Sequence, residues 1–415
     1  MTRTLDSLSL LGRSRSRASR PTFAARAVLK MLDKLSQGRL DIELPNGDTC
    51  HFGAGGYPHA ALRLNNWNVF TAALKSGDIG FAESYIQGDW TTSDLTSLIL
   101  LFIVNREQME KVIYGSWWGK LLYRARHALN RNSRRGSKRN IHAHYDLGNT
   151  FYRSWLDDTM NYSAAWFQDD RTQSLSQAQN AKVQRALDES GVCEGDRLLE
   201  IGCGWGAVAQ AAAQRGANVV GVTLSTEQLH YAQNRLTKTG LHSSADLRLQ
   251  DYRDIQDGPY DALVSIEMFE AVGRQYWPSF FETVRKNLKP GARACIQSIT
   301  IRDDLFDRYV NSTDFIQQYI FPGGMLPSES EFCEAAERAG LRVTNVLRFG
   351  PDYAETLRRW RAPFHANEQA IRAQGFDTAF MRTWDFYLSY CEAAFDTGNT
   401  NVVQFTLVND PEAAS

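Results

Sequence analysis

Three glycines stand between two apolar runs in the segment LLEIGCGWGAVAQ, which covers residues 198–210. Glycines at 202, 204 and 206 would let a ligand approach the backbone without meeting a side chain. Glu200 lies two residues before the first glycine, where its carboxylate could accept hydrogen bonds from a cationic group. The segment therefore predicts a ligand site in which Glu200 binds an ammonium group or anchors the loop.

Two common ligands do not fit this turn. The dinucleotide fingerprint GxGxxG has a third glycine where this chain has Ala207, and an acidic residue where the second predicted strand ends in Val222, Thr223 and Leu224. A P-loop is excluded because no GxxxxGK followed by Ser or Thr comes after the strand. An acidic residue before GxGxG is the arrangement of S-adenosylmethionine-dependent methyltransferases, so S-adenosylmethionine is the predicted cofactor. A tight turn without a ligand is the alternative.

Alternating strands and helices must position this turn. The pattern predicts strands at 197–202, 218–224, 261–266 and 292–301, separated by helices that include 207–216, 225–240 and 277–288. Such alternation implies a parallel sheet with ligands at the carboxyl ends of the strands. The predicted fold class is α/β, a Rossmann-like class I methyltransferase domain over 141–415 with a smaller N-terminal α+β domain.

The N-terminal part has a different pattern. A helix, a strand at 39–44, a Pro-Asn-Gly-Asp turn and a second short strand indicate a hairpin in a small α+β domain. The apolar run over 95–104 has half of the roughly 20 residues needed to cross a bilayer, so it indicates a buried helix. The predicted boundaries are a basic flexible tail over 1–22, an N-terminal domain over 23–130 and a basic linker over 131–140.

Positive charge is concentrated in one run, although the formal net charge is −1. From Lys111 to Tyr145 there are nine lysines and arginines and no acidic residue. Such a run attracts nucleic acid or the phosphates of a membrane surface, and a solvated linker is the alternative.

The six cysteines form no CxxC pair and His142 and His144 lack a third ligand nearby, so no metal site is predicted. No secretory signal is evident, and we expect a cytoplasmic protein.

Seven motifs, including the glycine turn, occur in one order along the chain. They are HYDLGNTFYRSWLDDTMNYSAAWF (144–167), LLEIGCGWG (198–206), GVTLSTEQ (221–228), EMFEAVG (267–273), YIFPGGMLPS (319–328), DYAETLRRW (352–360) and WDFYLSYCEAAFDTGNTNVVQFTL (384–407). Together they resemble the cyclopropane-fatty-acyl-phospholipid synthase family over essentially all of 140–407. The N-terminal domain resembles the lipid-binding extension of bacterial members.

The resemblance implies a function and partners. Members transfer a methyl group from S-adenosylmethionine to the cis double bond of an unsaturated acyl chain, usually within a membrane phospholipid, and most then close a cyclopropane ring. Cyclopropane fatty acids are therefore the predicted product, with a methyl or methylene branch as the alternative. Candidate partners are unsaturated phospholipid acyl chains, an anionic membrane surface and a second copy in a homodimer, but not nucleic acid. The expected location is cytoplasmic, peripherally associated with the inner face of the membrane.

Two other functions remain open at the level of sequence. One is methyl transfer to the nitrogen or oxygen of a soluble metabolite, which would need neither the basic run nor the N-terminal extension. The other is a non-catalytic lipid-binding or nucleic-acid-binding protein that kept the fold, since a fold alone does not establish a function.

The motifs also imply which residues bind the methyl donor. By resemblance, the donor site comprises Tyr162, Ser163, Leu199, Glu200, Gly202, Gly204, Gly206, Thr223, Leu224, Ser225, Gln228, Gln250 and Asp251. Gln228 would lie near the ribose, and Gln250 and Asp251 by the adenine. Helix capping is a role that Thr223 and Ser225 could have in addition.

The acyl side of the site must solve a chemical problem. An alkene is a poor nucleophile, so its double bond must be aligned with the methyl group, and water must be kept from the cation that forms. Aromatic rings suit both tasks, although core packing is the plainer explanation for any one ring. The aromatic residues of the motifs include Tyr145, Phe151, Tyr152, Trp166, Phe269 and Tyr319.

The cation must then lose a proton, so the site needs a base. The resemblance implies a bound bicarbonate, held by a glutamate and a tyrosine that Glu270 and Tyr319 match, by backbone, and often by a cysteine and a histidine. Ala164 stands in the place of that cysteine and Gln297 in the place of the histidine. Ring closure and branching therefore compete, and Glu270 could itself be the base. Cys391 aligns with the cysteine conventionally assigned as the active-site residue, with buried packing as the alternative.

Overall fold

The computed structural model describes residues 21–113 and 147–410. The predicted tail up to residue 20, the linker over 131–140, His142 and His144 lie outside these residues. So does the basic run, apart from the backbone of residues 111–113. The roles and domain boundaries predicted there stay predictions.

The N-terminal residues form a four-stranded sheet covered by helices. The helices are α1 (Phe23–Leu32), α2 (Asn68–Gln87), α3 (Leu95–Val104) and α4 (Arg106–Ile113), and the strands are β1 (Gly38–Glu43), β2 (Thr49–Gly55), β3 (His59–Leu64) and β4 (Trp90–Thr92). The strand order is β2-β1-β3-β4. Strand β1 is antiparallel to β2, which confirms the predicted hairpin, and parallel to β3.

The apolar run forms a helix with the predicted bounds. Asp94 begins α3 by accepting a hydrogen bond from the N–H of Ser97 at 3.0 Å, and six of the ten helix residues are buried. Within the described residues, no helix is long and apolar enough to span a bilayer.

A seven-stranded sheet organises the rest of the chain. Its strands are β5 (Arg197–Ile201), β6 (Asn218–Thr223), β7 (Ala245–Leu249), β8 (Tyr260–Ile266), β9 (Leu288–Ile301), β10 (Leu341–Arg348) and β11 (Thr400–Asn409). The order is β10-β11-β9-β8-β5-β6-β7, and every neighbouring pair is parallel except the two that involve β11. The predicted α/β, Rossmann-like fold is confirmed. Chain order reverses between β5 and β8, and ligands bind at the carboxyl ends of the strands at such a point.

Helices flank this sheet and extend toward the N-terminal unit. They are α5 (Asn149–Arg153), α6 (Leu175–Ser190), α7 (Ala207–Gln214), α8 (Thr226–Lys238), α9 (Trp277–Asn287), α10 (Asp303–Val310), α11 (Phe315–Tyr319), α12 (Glu329–Arg338), α13 (Gly350–Ala366), α14 (Glu368–Ala373) and α15 (Thr378–Asp396). Helix α15 packs against α2 and α3. The hydroxyl of Tyr85 donates to Asp385 at 2.9 Å, and that of Thr96 donates to Glu392 at 3.0 Å. Buried residues of both units belong to one hydrophobic core, so α15 forms a wall shared by the two.

Candidate active site

A cavity of about 160 Å³ lies at the carboxyl ends of β5, β6 and β8. We call it the donor cavity. Ten of the thirteen predicted donor residues line it, namely Tyr162, Ser163, Glu200, Gly202, Gly204, Thr223, Leu224, Gln228, Gln250 and Asp251. The motifs along the chain and the carboxyl edge of the sheet therefore point to the same place.

Three predicted donor residues do not line the donor cavity. Leu199 is fully buried in the hydrophobic core. Gly206 has a φ of +81° at the start of α7, and a Cβ there would lie 2.8 Å from the Cβ of Ala232. Ser225 begins α8 by accepting a hydrogen bond from the N–H of Gln228 at 3.3 Å. Packing, turn geometry and capping explain these residues without a ligand.

Glu200 supplies a buried acceptor to the donor cavity. It is 3% exposed, and its Oε2 has no hydrogen-bond partner among the described residues. Burial raises the pKa of Glu200 to about 8, although the N–H of Ala209 and the charge of Arg235 act in the opposite direction. An unpaired buried carboxylate oxygen is costly unless a partner arrives, and an ammonium group is a suitable one. The residues present therefore fit the amino-acid part of S-adenosylmethionine.

Polar side chains on the β6–β7 side of the cavity are held by local contacts. The hydroxyl of Thr223 donates to Oε1 of Gln228 at 3.2 Å. Asp251 accepts from the N–H of Arg253 at 3.0 Å and forms an ion pair with its guanidinium at 2.5 Å. Fixed amide and carboxylate groups of this kind suit the hydroxyls and ring nitrogens of a nucleoside.

A second cavity, of about 180 Å³, adjoins the first, and we call it the acyl cavity. Tyr162, Glu267 and Ala271 line both cavities. The remaining lining is largely apolar or aromatic, and includes Ile299, Ile316, Leu326, Leu357 and Phe395. An apolar space beside the donor cavity suits a hydrocarbon chain.

Tyr162 is fixed in the shared wall. Its ring centroid lies 5.4 Å from those of Tyr152 and Trp155, and 5.5 Å from that of Trp360. Its hydroxyl oxygen lies 2.7 Å from that of Tyr387. Packed rings at the junction of the two cavities would exclude water from the reacting atoms.

Most aromatic residues predicted for the acyl side belong to the core instead. Phe151, Tyr152 and Phe269 are fully buried and do not line the acyl cavity, nor does Trp166. Tyr145 lies outside the described residues. The rings that do line the acyl cavity are Tyr162, Tyr309, Phe321, Tyr353, Tyr387, Tyr390 and Phe395.

Glu270, a predicted catalytic residue, lines the acyl cavity. Its Oε1 accepts from the hydroxyl of Ser298 at 3.2 Å and from the N–H of Ile299, while its Oε2 is buried without a partner among the described residues. Burial, together with the nearby carboxylate of Glu267, raises the pKa of Glu270 to about 8. Glu270 is therefore mainly neutral at pH 7, which makes it a poor proton acceptor.

The other two predicted catalytic residues differ in position. Cys391 lines the acyl cavity, but burial and the charge of Asp314 raise its pKa far above the ordinary value, so it is a neutral thiol. Tyr319 lines neither cavity. Its hydroxyl donates to Glu83 in α2, and its ring stacks on Phe315 with centroids 5.3 Å apart. The structure therefore does not bring Tyr319 to the place for which it was predicted.

Glu267 lines both cavities, but the sequence analysis did not identify it as a candidate site residue. Its Oε1 accepts from the N–H of Ala164 at 2.8 Å and from Nε2 of Gln297 at 2.7 Å, and its Oε2 accepts from the hydroxyl of Tyr353 at 2.7 Å. Two of these partners are the positions at which the chain departs from the family pattern. A signal was present, because Glu267 begins the motif EMFEAVG, three residues before Glu270.

Comparison with known proteins agrees with this geometry. Residues 132–405 match the family described as mycolic acid cyclopropane synthetase. The chain belongs to this family. The family, the fold and the methyl donor predicted from the motifs are thereby confirmed.

Relatives of this cyclopropane synthetase family member differ in the reaction that they are named for. The tuberculostearic acid methyltransferase UfaA1 of Mycobacterium tuberculosis is 35% identical over 93% of this chain and 92% of its own length. The cyclopropane-fatty-acyl-phospholipid synthase of Escherichia coli is 34% identical over 81% of this chain and 84% of its own. The mycolic acid cyclopropane synthase CmaA1, whose crystal structure is a complex with SAH and CTAB, has a TM-score of 0.61 and 34% identity over 65% of this chain and 98% of that chain.

Together these findings define the class of reaction. This cyclopropane synthetase family member is an S-adenosylmethionine-dependent C-methyltransferase that transfers a one-carbon unit to unsaturated lipids.

Proposed function

We propose that the enzyme acts on the cis double bond of an acyl chain of a membrane phospholipid and converts it into a cyclopropane ring. The observation that carries the proposal is a third cavity, of about 240 Å³, lined by the N-terminal sheet and helices together with residues beyond β9. Leu40, Ile42 and Leu62 of the N-terminal sheet line it. We call it the inter-unit cavity.

The acyl and inter-unit cavities have a common wall. Six residues line both, namely Tyr309, Asp314, Leu326, Tyr390, Ala394 and Thr400. An acyl chain whose double bond lies beside the donor cavity could therefore continue between the two units. Such a path suits a long hydrocarbon chain better than a small soluble metabolite.

A phospholipid is favoured over a free fatty acid by two sequence features. The match to the Escherichia coli phospholipid enzyme covers 81% of this chain, beyond the part that resembles CmaA1. The basic run from Lys111 to Tyr145 carries the charge needed to attract anionic headgroups.

The residues of the two cavities have distinct tasks in this proposal. When bound, S-adenosylmethionine supplies a methyl group activated on a cationic sulfur. Glu200 binds the ammonium group, Tyr162 keeps water from the junction of the cavities, and the rings of the acyl cavity stabilise positive charge on the acyl chain, each by about 0.5–2 kcal/mol.

A methylene-branched product is the second candidate. The observation that favours it is the altered set of residues around the base, with Ala164 and Gln297 in place of the cysteine and histidine of the resemblance. The similarity to UfaA1, which is named as a methyltransferase, extends over 93% of this chain.

One labelling experiment separates these products. The protein would be expressed in a bacterial host without its own synthase, fed trideuterated-methyl methionine, and its fatty acid methyl esters analysed by gas chromatography and mass spectrometry. A new acyl species with two deuterons is expected, and retention time distinguishes a ring from a methylene branch. Three retained deuterons would indicate an intact methyl branch. The absence of any labelled acyl product would contradict the proposal and favour a soluble substrate.

The path of the acyl chain can be tested separately. Ala394→Trp would fill the wall common to the acyl and inter-unit cavities, and turnover of phospholipid should fall sharply while S-adenosylmethionine still binds, because Ala394 does not line the donor cavity. Ala379→Trp, at an exposed position on the same helix, is the matched control. Equal turnover by both variants would contradict the proposed path.

Attachment to an anionic surface is tested with vesicles. Charge reversal at Arg134, Arg135 and Arg139 should weaken flotation with anionic vesicles, and salt should weaken flotation of the unaltered protein. Neutral vesicles are the control, and equal flotation by the variant would favour the solvated linker. Light scattering of the purified protein would test the predicted homodimer.

A further inference from the structure

The bicarbonate implied by the family resemblance does not fit this site. The positions that correspond to its cysteine and histidine are Ala164 and Gln297, and the backbone N–H of Ala164 and Nε2 of Gln297 donate hydrogen bonds to the carboxylate of Glu267. A tyrosine hydroxyl, that of Tyr353, completes the set. Backbone, amide and tyrosine donors that could hold a small planar anion are thus already bound to a carboxylate of the chain itself.

We propose that the side-chain carboxylate of Glu267 replaces bicarbonate as the base of the reaction. This inference rests on the proposed function, because only a cation on the acyl chain has a proton to lose. A C–H bond of the transferred methyl group breaks, and its proton forms an O–H bond on Glu267. The electron pair of that C–H bond forms the C–C bond that closes the ring. For a methylene branch, a hydride first shifts from the methylated carbon to the neighbouring cationic carbon, and the electron pair of the methyl C–H bond then forms the C=C bond.

The location of Glu267 suits this step. It lines both the donor cavity and the acyl cavity, whereas Glu270 lines only the acyl cavity. The transferred methyl group must pass between these two cavities. A base in their common wall can reach the methyl group after transfer.

Charge is better accommodated on Glu267 than on Glu270. Glu267 accepts from three donors, and the buried ammonium of Lys182, which donates to the hydroxyl of Ser163 at 2.5 Å, favours its ionised form. Glu270 keeps one buried oxygen without a partner among the described residues. Burial still raises the pKa of Glu267 above the ordinary value, while its three hydrogen-bond donors and the charge of Lys182 act in the opposite direction.

A hydrogen-bond relay orients the amide donor. Arg185 donates to Oε1 of Gln404 at 2.6 Å, and Nε2 of Gln404 donates to Oε1 of Gln297 at 3.0 Å. Because a guanidinium can only donate, Gln404 turns its Oε1 toward Arg185 and its Nε2 toward Gln297. Gln297 then accepts at Oε1, and its Nε2 faces Glu267. Arg185 and Gln404 are therefore positioning residues for the base.

The backbone conformation of Glu267 is strained, whereas glycine would adopt it without strain. Its φ is +48°, in the left-handed region that residues with a Cβ rarely adopt. Strain of this kind persists at functional sites where the surrounding structure fixes it. Glu267→Gly would relieve the strain and vacate the space of the carboxylate, which makes it a variant that should fold.

The test compares the unaltered enzyme with Glu267→Gln and Glu267→Gly, with and without bicarbonate. In bicarbonate-depleted buffer the unaltered enzyme should keep its rate, and both variants should lose about 100-fold or more, the usual contribution of a general base. Added bicarbonate should restore turnover to Glu267→Gly but not to Glu267→Gln, whose side chain still fills the space. Far-UV circular dichroism spectra like that of the unaltered enzyme would show that the variants are folded.

Calorimetric titration with bicarbonate gives a second readout that needs no turnover. Binding to Glu267→Gly but not to the unaltered enzyme would show that the carboxylate of Glu267 occupies the place of bicarbonate, whether or not the unaltered enzyme makes a labelled acyl product. Binding to the unaltered enzyme would overturn the proposal. A bicarbonate requirement of the unaltered enzyme would do the same, as would loss of turnover in Glu270→Gln but not in Glu267→Gln.

Discussion

Binding of S-adenosylmethionine should depend on pH through Glu200. With a pKa of about 8, this carboxyl group is mainly neutral at pH 6, and it must ionise to pair with the ammonium group of the donor. Binding therefore releases a proton below pH 8, and affinity should rise as the pH rises toward that value. Glu200→Gln removes the titrating group and should make the affinity nearly independent of pH between 6.0 and 7.5.

The size of the effect follows from the raised pKa. At pH 6.0 about one side chain in a hundred is ionised, so ionisation costs about 2.7 kcal/mol, and at pH 7.5 it costs about 0.8 kcal/mol. The difference corresponds to about 25-fold in affinity, reduced to about 15-fold because the amino group of the donor also begins to lose its charge near pH 7.7. A hydrogen bond to a charged group is worth about 1.5–3 kcal/mol, so Glu200→Gln should bind about 3- to 40-fold more weakly at pH 7.5.

Isothermal titration calorimetry at pH 6.0 and 7.5, in two buffers of different ionisation enthalpy, measures both affinity and proton release. Glu270→Gln is the matched control, since burial raises the pKa of Glu270 to the same value but Glu270 does not line the donor cavity. This control should keep the full pH dependence. If the affinity of the unaltered enzyme does not change over this range, or if Glu200→Gln keeps the pH dependence, Glu200 does not bind the ammonium group of the donor.

Three further outcomes are expected. Gly204→Val should abolish measurable binding of S-adenosylmethionine. Gly204 has a φ of +48°, which strains a residue with a Cβ, and a valine side chain would enter the open space of the donor cavity that the ligand needs. Normal affinity would exclude Gly204 from the site. Cys391→Ser should keep turnover within about tenfold, since burial keeps the thiol of Cys391 neutral in the unaltered enzyme, and complete inactivity would require a catalytic thiol. Tyr353→Phe removes a donor to the ionised form of Glu267, so turnover should fall about tenfold or more and the acidic limb of the pH–rate profile should move to higher pH. Tyr319→Phe should leave that profile in place, and the opposite pattern would restore the role predicted for Tyr319 from sequence.

Local signals in the sequence were sufficient for much of the fold. The apolar run over 95–104 predicted α3 to the residue, and the glycine turn predicted the end of β5 and the start of α7. These features depend on neighbours in the chain, such as the side chain of Asp94 bonding to the N–H of Ser97. The antiparallel place of β11 between β10 and β9 was not predicted, because strand order depends on contacts between segments far apart.

The sequence also predicted most of the polar lining of the donor cavity, but not the rings that line the acyl cavity. Most donor residues follow directly after strands of a parallel sheet, and topology brings such ends together whatever the details of packing. Five of the seven rings that line the acyl cavity come from helices between β9 and β11, and which face of each helix meets the cavity depends on how those helices pack. Tyr319 and Tyr353 both lie in motifs, and only packing shows which one reaches the acyl cavity.

The family, the glycine turn and the two departures at Ala164 and Gln297 are evident from the sequence alone. The consequence of those departures depends on the tertiary structure. The register of β8 against β9 pairs Ile266 with Gln297, which sets the amide beside Glu267, while Ala164 and Tyr353 arrive from segments 103 and 86 residues away. The donors that hold the carboxylate of Glu267 are placed by the whole sheet and by α13. Their directions and distances therefore cannot be predicted from residue spacing along the chain.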